Sequence, residues 1–422
     1  MKISNVHARQ IIDCKCRPLV EVEVICDDGT VVRGAAPTGQ SVGAHESYVL
    51  RDGDPNDYHG LSVHNAVAGV EREIALALKG RDVSDPRALD RILIDLDGTA
   101  DKHRLGGNAV YSTSIALWRA AAAAQGVPLY QMIAGEPLST VPVPTFNMVN
   151  GGIYDTLTQP FNEFIVVPYR ARTIYEAVAL SIDLFGHLAD TLKRHLGHAP
   201  QVAGSYGYAA PSEDPAEVLS IMREAMCELG VEDKFCFALD CASTEMFDKE
   251  TGTYYLKGNR VSSEELVEYM QSLTDEFDFL FVEDLLDEDD WGGFVLAKRR
   301  LEKTIVIGDD LIVTNRSRLK KAVDMDAVGG FILKPNQIGT LTEAFETYDY
   351  AREQGLYAVP SGRSGGVIDD VVMDLSVGLQ VPFQKNGAPR SGERIEKLNF
   401  LLRASESAPG IELSDLSTVA RF

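Results

Sequence analysis

A series of short β-rich runs, most of them ended by a charged residue, constrains the fold of this chain more than any other feature. Amphipathic helical patterns lie between the runs, as in parallel βα units. The runs are Phe235–Leu239, Phe279–Val282, Thr304–Ile307, Gly330–Leu333 and Leu356–Val359. No GxGxxG loop follows any of them, as a dinucleotide-binding sheet would require. The spacing therefore predicts an eight-stranded α/β barrel of the TIM type.

The first part of the chain has a different pattern. From Lys2 to Gly34, apolar and polar residues alternate on both sides of Asp27-Asp28-Gly29, which predicts antiparallel strands joined by a tight turn. Three helical patterns follow, at about 62–79, 86–94 and 107–125. We therefore predict an α+β cap domain over residues 1–136 and a barrel domain over residues 137–422.

The charge balance narrows the range of partners. Lys and Arg number 40 against 63 Asp and Glu, so the formal net charge is −23, which would repel a nucleic-acid backbone. No apolar run approaches the roughly 20 residues of a membrane span, and Met1–Val6 shows no apolar signal-peptide core. Six cysteines without a pair of CxxC units indicate structural thiols. We expect a cytoplasmic protein that binds neither nucleic acid nor membranes.

Four charged residues follow consecutive predicted strands, namely Asp240, Glu283, Asp309 and Lys334. Strand ends form the mouth of a βα barrel, so these side chains are expected to converge there. Three carboxylates suit Mg²⁺, and a buried lysine beside the cation would have a lowered pKa and could act as a base. The lysine would remove a proton next to a carboxylate, and the metal ion would stabilise the resulting enediolate. The alternative is that each acid caps a helix or forms a structural ion pair.

The motifs around these residues resemble those of the enolase family along nearly the whole chain. The matching stretches are Leu50-Arg51-Asp52-Gly53-Asp54, Ile94-Asp95-Leu96-Asp97-Gly98-Thr99, Asn147-Met148-Val149-Asn150-Gly151-Gly152, Leu239-Asp240-Cys241-Ala242, Val282-Glu283-Asp284, Asp289-Asp290-Trp291, Gly308-Asp309-Asp310-Leu311 and Lys334-Pro335-Asn336-Gln337-Ile338-Gly339. The resemblance implies an α+β cap followed by an atypical βα barrel, two Mg²⁺ per active site, the second recruited with substrate, and a homodimer or higher homo-oligomer.

The resemblance also implies roles for individual residues. Asp240, Glu283 and Asp309 would hold the first metal, and Lys334 would be the base. Ser41 would reach the second metal as its loop closes. Arg363 and Ser364 match the residues that bind the substrate phosphate, and Lys385 matches the residue that holds the substrate carboxylate.

Three stretches depart from the family pattern, all on the leaving-group side. Gly204-Ser205-Tyr206-Gly207-Tyr208-Ala209 stands for Gly-Asp-Glu-Gly-Gly-Tyr, which puts Tyr206 in place of the Glu that helps expel the β-hydroxyl. Gly362 replaces the active-site His. Gly151-Gly152-Ile153-Tyr154 replaces Gly-Gly-Glu-His, which puts Tyr154 beside the substrate. Glu163 remains as a further catalytic candidate. We expect Tyr206 and Gly362 to enlarge and neutralise this side of the site.

These departures leave three hypotheses. The first is a Mg²⁺-dependent lyase or transferase acting on a 2-phosphoglycerate- or phosphoenolpyruvate-like substrate. Its best specific form is a carboxyphosphonoenolpyruvate synthase, which joins an enolpyruvyl unit to phosphonoformate, delivered as its cytidylyl derivative, in phosphonate antibiotic biosynthesis. The second is ordinary enolase (phosphopyruvate hydratase) with a relocated acid, either Glu163 or His45. The third is a non-catalytic scaffold that binds a metabolite; a complete metal triad beside Lys334 argues against it.

Overall fold

The N-terminal part of the chain is a three-stranded meander covered by helices. The computed structural model describes residues 1–39, 43–155 and 159–422. The elements of this part are β1 (Ile3–Ile12), β2 (Pro18–Cys26), β3 (Val31–Ala35), α1 (His64–Gly69), α2 (Ala75–Leu78), α3 (Pro86–Asp97), α4 (Gly107–Gln125) and α5 (Leu129–Ala134). The strands pair antiparallel in the order β1-β2-β3. A π-helical turn joins α1 to α2, so the three predicted helical stretches are confirmed.

Helix α4 packs closely against this small sheet. A Cβ atom at Gly34 on β3 would lie 2.2 Å from the carbonyl oxygen of Ser112 on α4, so only glycine permits this approach of strand and helix. The apolar faces of β1, β2, α1 and α4 enclose a separate core that includes Val22, Leu93 and Leu117. The cap therefore has its own hydrophobic core.

The remainder of the chain alternates strands with helices. Its strands are β4 (Thr140–Val141), β5 (Val143–Asn150), β6 (Glu163–Val167), β7 (Tyr208–Ala209), β8 (Cys236–Asp240), β9 (Phe247–Asp248), β10 (Thr253–Leu256), β11 (Asn259–Val261), β12 (Phe279–Glu283), β13 (Ile305–Gly308), β14 (Gly330–Leu333), β15 (Tyr357–Pro360), β16 (Phe383–Lys385) and β17 (Glu412–Leu413). Its helices are α6 (Ile174–Leu196), α7 (Pro215–Leu229), α8 (Ser263–Glu276), α9 (Trp291–Arg300), α10 (Arg316–Asp324), α11 (Leu341–Glu353), α12 (Val372–Gly378) and α13 (Gly392–Ser405). All five predicted strand runs are present, each within one residue of its expected bounds.

Eight of these strands form a closed barrel in which one strand runs against the others. The order is β15-β14-β13-β12-β8-β6-β5-β16, and a parallel bridge between Ser361 and Lys385 joins the two ends. Strand β6 is antiparallel to both β5 and β8, whereas the other pairs are parallel. The regular parallel βα pattern therefore holds only from β8 onwards, and the first residue of β6 lies at the edge where its neighbours end.

The cap lies against the barrel through buried polar contacts. Asp90 on α3 accepts hydrogen bonds from the backbone N–H and the hydroxyl of Thr342, at 3.1 and 2.6 Å, at the start of α11. A bridge between Thr38 and Gly365 brings the segment after β3 to the barrel mouth. All six cysteines are free thiols, and none of the helices in the described part is long and apolar enough to cross a membrane.

Candidate active site

Register places three carboxylates side by side at the barrel mouth. Glu163 pairs with Asp240 across β6 and β8, and Asp240 pairs with Glu283 across β8 and β12. Asp309 follows directly after β13, which pairs with β12. Glu163 reaches this edge although it begins its strand, because β6 runs in the opposite direction. The predicted convergence of Asp240, Glu283 and Asp309 therefore gains a fourth acid.

Lys385 lies among these acids. Its Nζ donates to Glu283 Oε2 at 2.5 Å and to Asp240 Oδ2 at 3.0 Å, and Glu163 Oε2 is 3.7 Å away. Burial would lower the pKa of Lys385, but the carboxylates raise it well above its ordinary value. Burial raises the pKa of Asp240 and Glu283, and repulsion between neighbouring carboxylates adds to this rise. The Lys385 side chain, which was predicted to hold the substrate carboxylate, is thus a positively charged ammonium held by acids.

Lys334 is paired with Asp309 in the same way. Its ammonium donates to Asp309 Oδ2, while Gln337 Nε2 donates to Asp309 Oδ1 at 2.8 Å. Burial would lower the pKa of Lys334, yet the Asp309 carboxylate raises it above the usual range. Burial would raise the pKa of Asp309, but the Lys334 ammonium outweighs burial, so the pKa of Asp309 is lowered. In this arrangement the acid beside Lys334 outweighs burial, whereas the predicted lowering of the lysine pKa applies to a site that holds the cation.

The acids have the composition of a cation site. Glu283 Oε1 is buried without a hydrogen-bond partner in the described part of the chain, and the repulsion around it would be relieved by a metal ion. Asp284 orients its neighbour, since its two carboxylate oxygens accept the backbone N–H groups of Asp309 and Asp310, both at 2.8 Å. Oxygens of Asp284, Asp309 and Asp310 also lie within 4.8 Å of one another. The donor set fits a hard divalent cation.

Arg363, predicted to bind the substrate phosphate, is held by an acid from the cap. Glu46 accepts from both of its terminal nitrogens, at 2.8 and 3.0 Å, and both residues are buried. Glu46 was not singled out from the sequence, because no charge pattern around it points to Arg363. Ser364 lies next to Arg363 in the cavity lining. Ser41 is outside the described residues.

The stretch predicted to carry Tyr206 into the site presents Ser205 instead. Ser205 Oγ donates to Glu163 Oε1 at 3.0 Å and lines the cavity. Tyr206 adopts φ 66°, and its hydroxyl donates to the carbonyl oxygen of Cys14 at 2.9 Å, outside the cavity lining. Burial raises the pKa of Tyr206 to about 12. Residues 204–206 form a turn in which Tyr206 has a left-handed backbone conformation, so the two neighbouring side chains point to different sides and Ser205 is the one that reaches the cavity.

Two basic residues of α13 lie where the sequence predicted a neutral surface. Arg394 donates through Nη2 to Ser205 Oγ at 3.1 Å and through Nη1 to its carbonyl oxygen. Lys397 reaches Gly362, where a Cβ atom would be only 2.8 Å from its Nζ. This side of the cavity is therefore positively charged rather than neutral. Arg394 and Lys397 went unnoticed because a basic pair three residues apart on a helix is usually solvent-exposed.

These side chains share one cavity with the remaining predicted residue. Tyr154 lines it, and burial keeps the Tyr154 hydroxyl protonated by raising its pKa. The lining residues are Gly39, Tyr154, Glu163, Ser205, Asp240, Lys334, Ser361, Gly362, Arg363, Ser364, Lys385, Asn386, Gly387, Arg394 and Lys397. We call Asp240, Lys334 and Lys385, together with Glu283 and Asp309 as the ion-pair partners of the two lysines, the carboxylate wall. We call Ser205, Gly362, Arg394 and Lys397 the cationic wall.

Comparison with known proteins decides the family. The family model described as "Enolase, N-terminal domain" matches residues 3–133, and the one described as "Enolase, C-terminal TIM barrel domain" matches residues 138–412. The chain belongs to the enolase family. A curated relative, "Enolase" of Methanopyrus kandleri, is 38% identical over 413 residues, which cover 97% of this chain and 96% of the relative. The predicted family and the predicted fold, an α+β cap followed by a TIM-type barrel, are confirmed, and the protein is an enolase-family enzyme.

Proposed function

We propose that the protein catalyses the enolase reaction, in which 2-phosphoglycerate loses water to give phosphoenolpyruvate. The observation that carries the proposal is the carboxylate wall, where Lys334 and Lys385 form ion pairs with three strand-end acids at the barrel mouth. The near full-length similarity to a relative named enolase supports this reaction over carboxyphosphonoenolpyruvate synthesis. Our first hypothesis from the sequence therefore becomes the second candidate.

Each residue of the carboxylate wall has a part in this proposal. Asp240, Glu283 and Asp309 would hold Mg²⁺, which when bound offsets the negative charge that develops on the substrate carboxylate. Lys385 would bind that carboxylate. Lys334 would take the proton from the α-carbon once Asp309 has exchanged its ammonium for the metal, since an ion-paired lysine is a poor base.

The substrate phosphate would replace Glu46 on Arg363. Both are oxyanions that a guanidinium binds through two parallel hydrogen bonds, so the pair with Glu46 supports the proposal that Arg363 binds the phosphate. Ser41, which precedes Glu46 in the sequence, is the proposed ligand of the second metal.

Glu163 is the candidate acid for the departing hydroxide. It lies at the end of the carboxylate wall and accepts hydrogen bonds from Ser205 and from Asn147 Nδ2, at 3.0 and 3.3 Å. His45, the other candidate, lies 3.2 Å from Asp289 on the surface. In the proposed elimination Lys334 gains the α-proton, the C–O bond breaks as the double bond forms, and Glu163 protonates the hydroxide to water.

The test separates proton removal from elimination. Protein in D₂O with Mg²⁺ is supplied with 2-phosphoglycerate, exchange of the α-hydrogen is followed by NMR, and phosphoenolpyruvate is measured by its ultraviolet absorbance. We expect both exchange and phosphoenolpyruvate, the latter more slowly than with an authentic enolase assayed beside it. Neither exchange nor product, with metal binding intact, would contradict the proposal and favour the non-catalytic scaffold.

A second candidate is transfer of an enolpyruvyl unit to phosphonoformate supplied as its cytidylyl derivative. The cationic wall favours it, because Arg394 and Lys397 suit an anionic second substrate better than the uncharged β-hydroxyl of 2-phosphoglycerate. Incubation of both substrates with Mg²⁺, followed by ³¹P NMR, would show a carboxyphosphonoenolpyruvate product. Rapid turnover of 2-phosphoglycerate, with phosphoenolpyruvate as the sole new phosphorus-containing product, would exclude it.

The cytoplasmic location and the homodimer or higher homo-oligomer are proposals as well. They are supported by the family membership. Light scattering coupled to gel filtration measures the assembly, and a mass near the 46.1 kDa of one chain would exclude an oligomer.

A further inference from the structure

Lys397 is a buried cation that the proposed reaction does not use. It extends from α13 into the cavity that also contains Lys334 and Lys385, and only 6% of its surface is exposed. In the parts of the chain that the structure describes, its ammonium makes no hydrogen bond and no ion pair within 4 Å. Lys334, Lys385 and the buried Lys102 all have a carboxylate partner. Lys397 is the exception among these buried lysines.

The glycine at position 362 gives this ammonium its access to the cavity. A Cβ atom there would lie 2.8 Å from Lys397 Nζ and 3.4 Å from Asp370 Oδ2. Any larger side chain would therefore push the ammonium aside or separate it from the cavity. Gly362 thus leaves a space at the barrel mouth, and the Lys397 ammonium lies next to that space.

The groups facing Lys397 do not neutralise it. Glu393 and Arg394 share its helix, Asp370 lies before α12, and Cys14 lies between β1 and β2. Burial, with the added repulsion of Arg394, outweighs the attraction of Asp370 and Glu393 and lowers the pKa of Lys397 to about 8. A buried cation with so little compensation is costly unless a ligand supplies the counter-charge.

We propose that Lys397 and Arg394 form a binding subsite for a second oxyanion, a phosphonate or phosphate group, beside the reacting substrate. Lys397 is the anchor, because its three N–H donors make no hydrogen bond to any residue that the structure describes. Arg394 holds Ser205 in place through its two hydrogen bonds and adds positive potential. The subsite rests on the proposed function only for its position next to the enediolate.

Calorimetry with inorganic phosphate tests the subsite. The parent protein, Lys397→Met, Lys397→Arg and the surface control Lys320→Met are titrated at pH 7 with saturating Mg²⁺ and phosphoenolpyruvate. We expect phosphate to bind about tenfold or more weakly to Lys397→Met, within about threefold of the parent to Lys397→Arg, and unchanged to Lys320→Met. Equal phosphate affinity in the parent and Lys397→Met would overturn the proposal.

Two additions keep the test decisive. The affinity for phosphoenolpyruvate is measured first. If the parent protein does not bind phosphoenolpyruvate, the proposed function fails. Phosphate titrations without phosphoenolpyruvate then still compare the parent with Lys397→Met. If Lys397→Met does not fold, Gly362→Ala serves, because its methyl group displaces the ammonium by contact. We expect Gly362→Ala to weaken phosphate binding several-fold, and unchanged binding in that variant would count against the subsite.

Discussion

The carboxylate wall and the cationic wall differ in how their buried positive charges are compensated. On the carboxylate wall, Lys334 and Lys385 each donate to an acid at the end of a neighbouring strand. On the cationic wall, Arg394 donates to Ser205 and its Nε lies 3.5 Å from Glu393 Oε1, whereas Lys397 has no hydrogen-bond or ion-pair partner among the described residues. Both walls are buried, so the difference does not come from solvent.

The contrast indicates what each wall is prepared to bind. Paired acids and ammonium groups can exchange partners, so a metal ion can take the acids while the lysines turn to substrate. An unpaired buried cation can be satisfied only from outside, by an anion. We infer that the first wall holds the metal and activates the substrate, and that the second selects what leaves or joins it.

The largest expected effect is on proton removal by the carboxylate wall. Lys334→Ala should lower the α-hydrogen exchange rate of 2-phosphoglycerate by about 10³-fold, the usual contribution of a positioned base. NMR in D₂O measures the rate, with the exposed Lys320→Ala as the matched control. Exchange that survives in Lys334→Ala would assign the base to another residue.

The cost of the unpaired charge should appear in stability. The pKa of Lys397 is lowered from 10.5 to about 8, so the folded protein releases this proton between pH 8 and 10.5 while the unfolded chain keeps it. The cost is therefore complete below pH 8 and is relieved as the pH rises. At pH 7, Lys397→Met should unfold with a free energy higher by up to roughly 3 kcal/mol.

Urea unfolding of both proteins at pH 7 and pH 9.5 measures this difference, with Lys320→Met as the control. The advantage of Lys397→Met should shrink at pH 9.5. A variant that is less stable than the parent at pH 7 would show that Lys397 is compensated after all, and the contrast between the walls would be lost.

Metal binding tests the pairing on the carboxylate wall. Asp309→Ala removes a charged ligand and should weaken Mg²⁺ binding by about 10- to 100-fold, the value of a charge-assisted contact. Titration calorimetry measures the affinity, and the exposed Asp326→Ala provides the control. Unchanged affinity would remove Asp309 from the metal site and leave its pair with Lys334 as a structural one.

Glu46 supplies Arg363 with a counter-charge that the substrate phosphate must displace. Glu46→Gln should tighten binding of phosphoenolpyruvate with Mg²⁺ by about threefold to tenfold, since a neutral amide competes less well for Arg363. Calorimetry measures the affinity, with the exposed Glu250→Gln as control. Weaker binding would mean that Glu46 holds Arg363 in position rather than competing with substrate.

The smallest effect is expected at Tyr206. Its hydroxyl donates to the Cys14 carbonyl outside the cavity lining, so Tyr206→Phe should change the exchange and elimination rates by no more than about twofold. Single-turnover assays with 2-phosphoglycerate measure both rates. A loss of elimination with exchange retained would restore Tyr206 as the acid and place it on the cationic wall.

The amino-acid sequence was sufficient for the barrel and for the convergence of its acids. Apolar runs at regular spacing are a local signal of βα units, and a charged residue after a buried strand lies at the barrel mouth wherever the barrel forms. Asp240, Glu283, Asp309 and Lys334 could thus be placed together without coordinates. The strand that runs backwards, β6, was not foreseen, because pairing direction depends on partners distant in the chain.

The partner of each charge was decided by tertiary structure. Nothing local distinguishes Lys397, which is buried without a partner among the described residues, from the solvent-exposed lysines of other helices. Nothing near Glu46 points to Arg363, 317 residues away. The choice between Ser205 and Tyr206 depended on a backbone turn of one residue. Burial, register and long-range contacts set the electrostatics of this site, since the strength of a charge depends on what surrounds it more than on its place in the sequence.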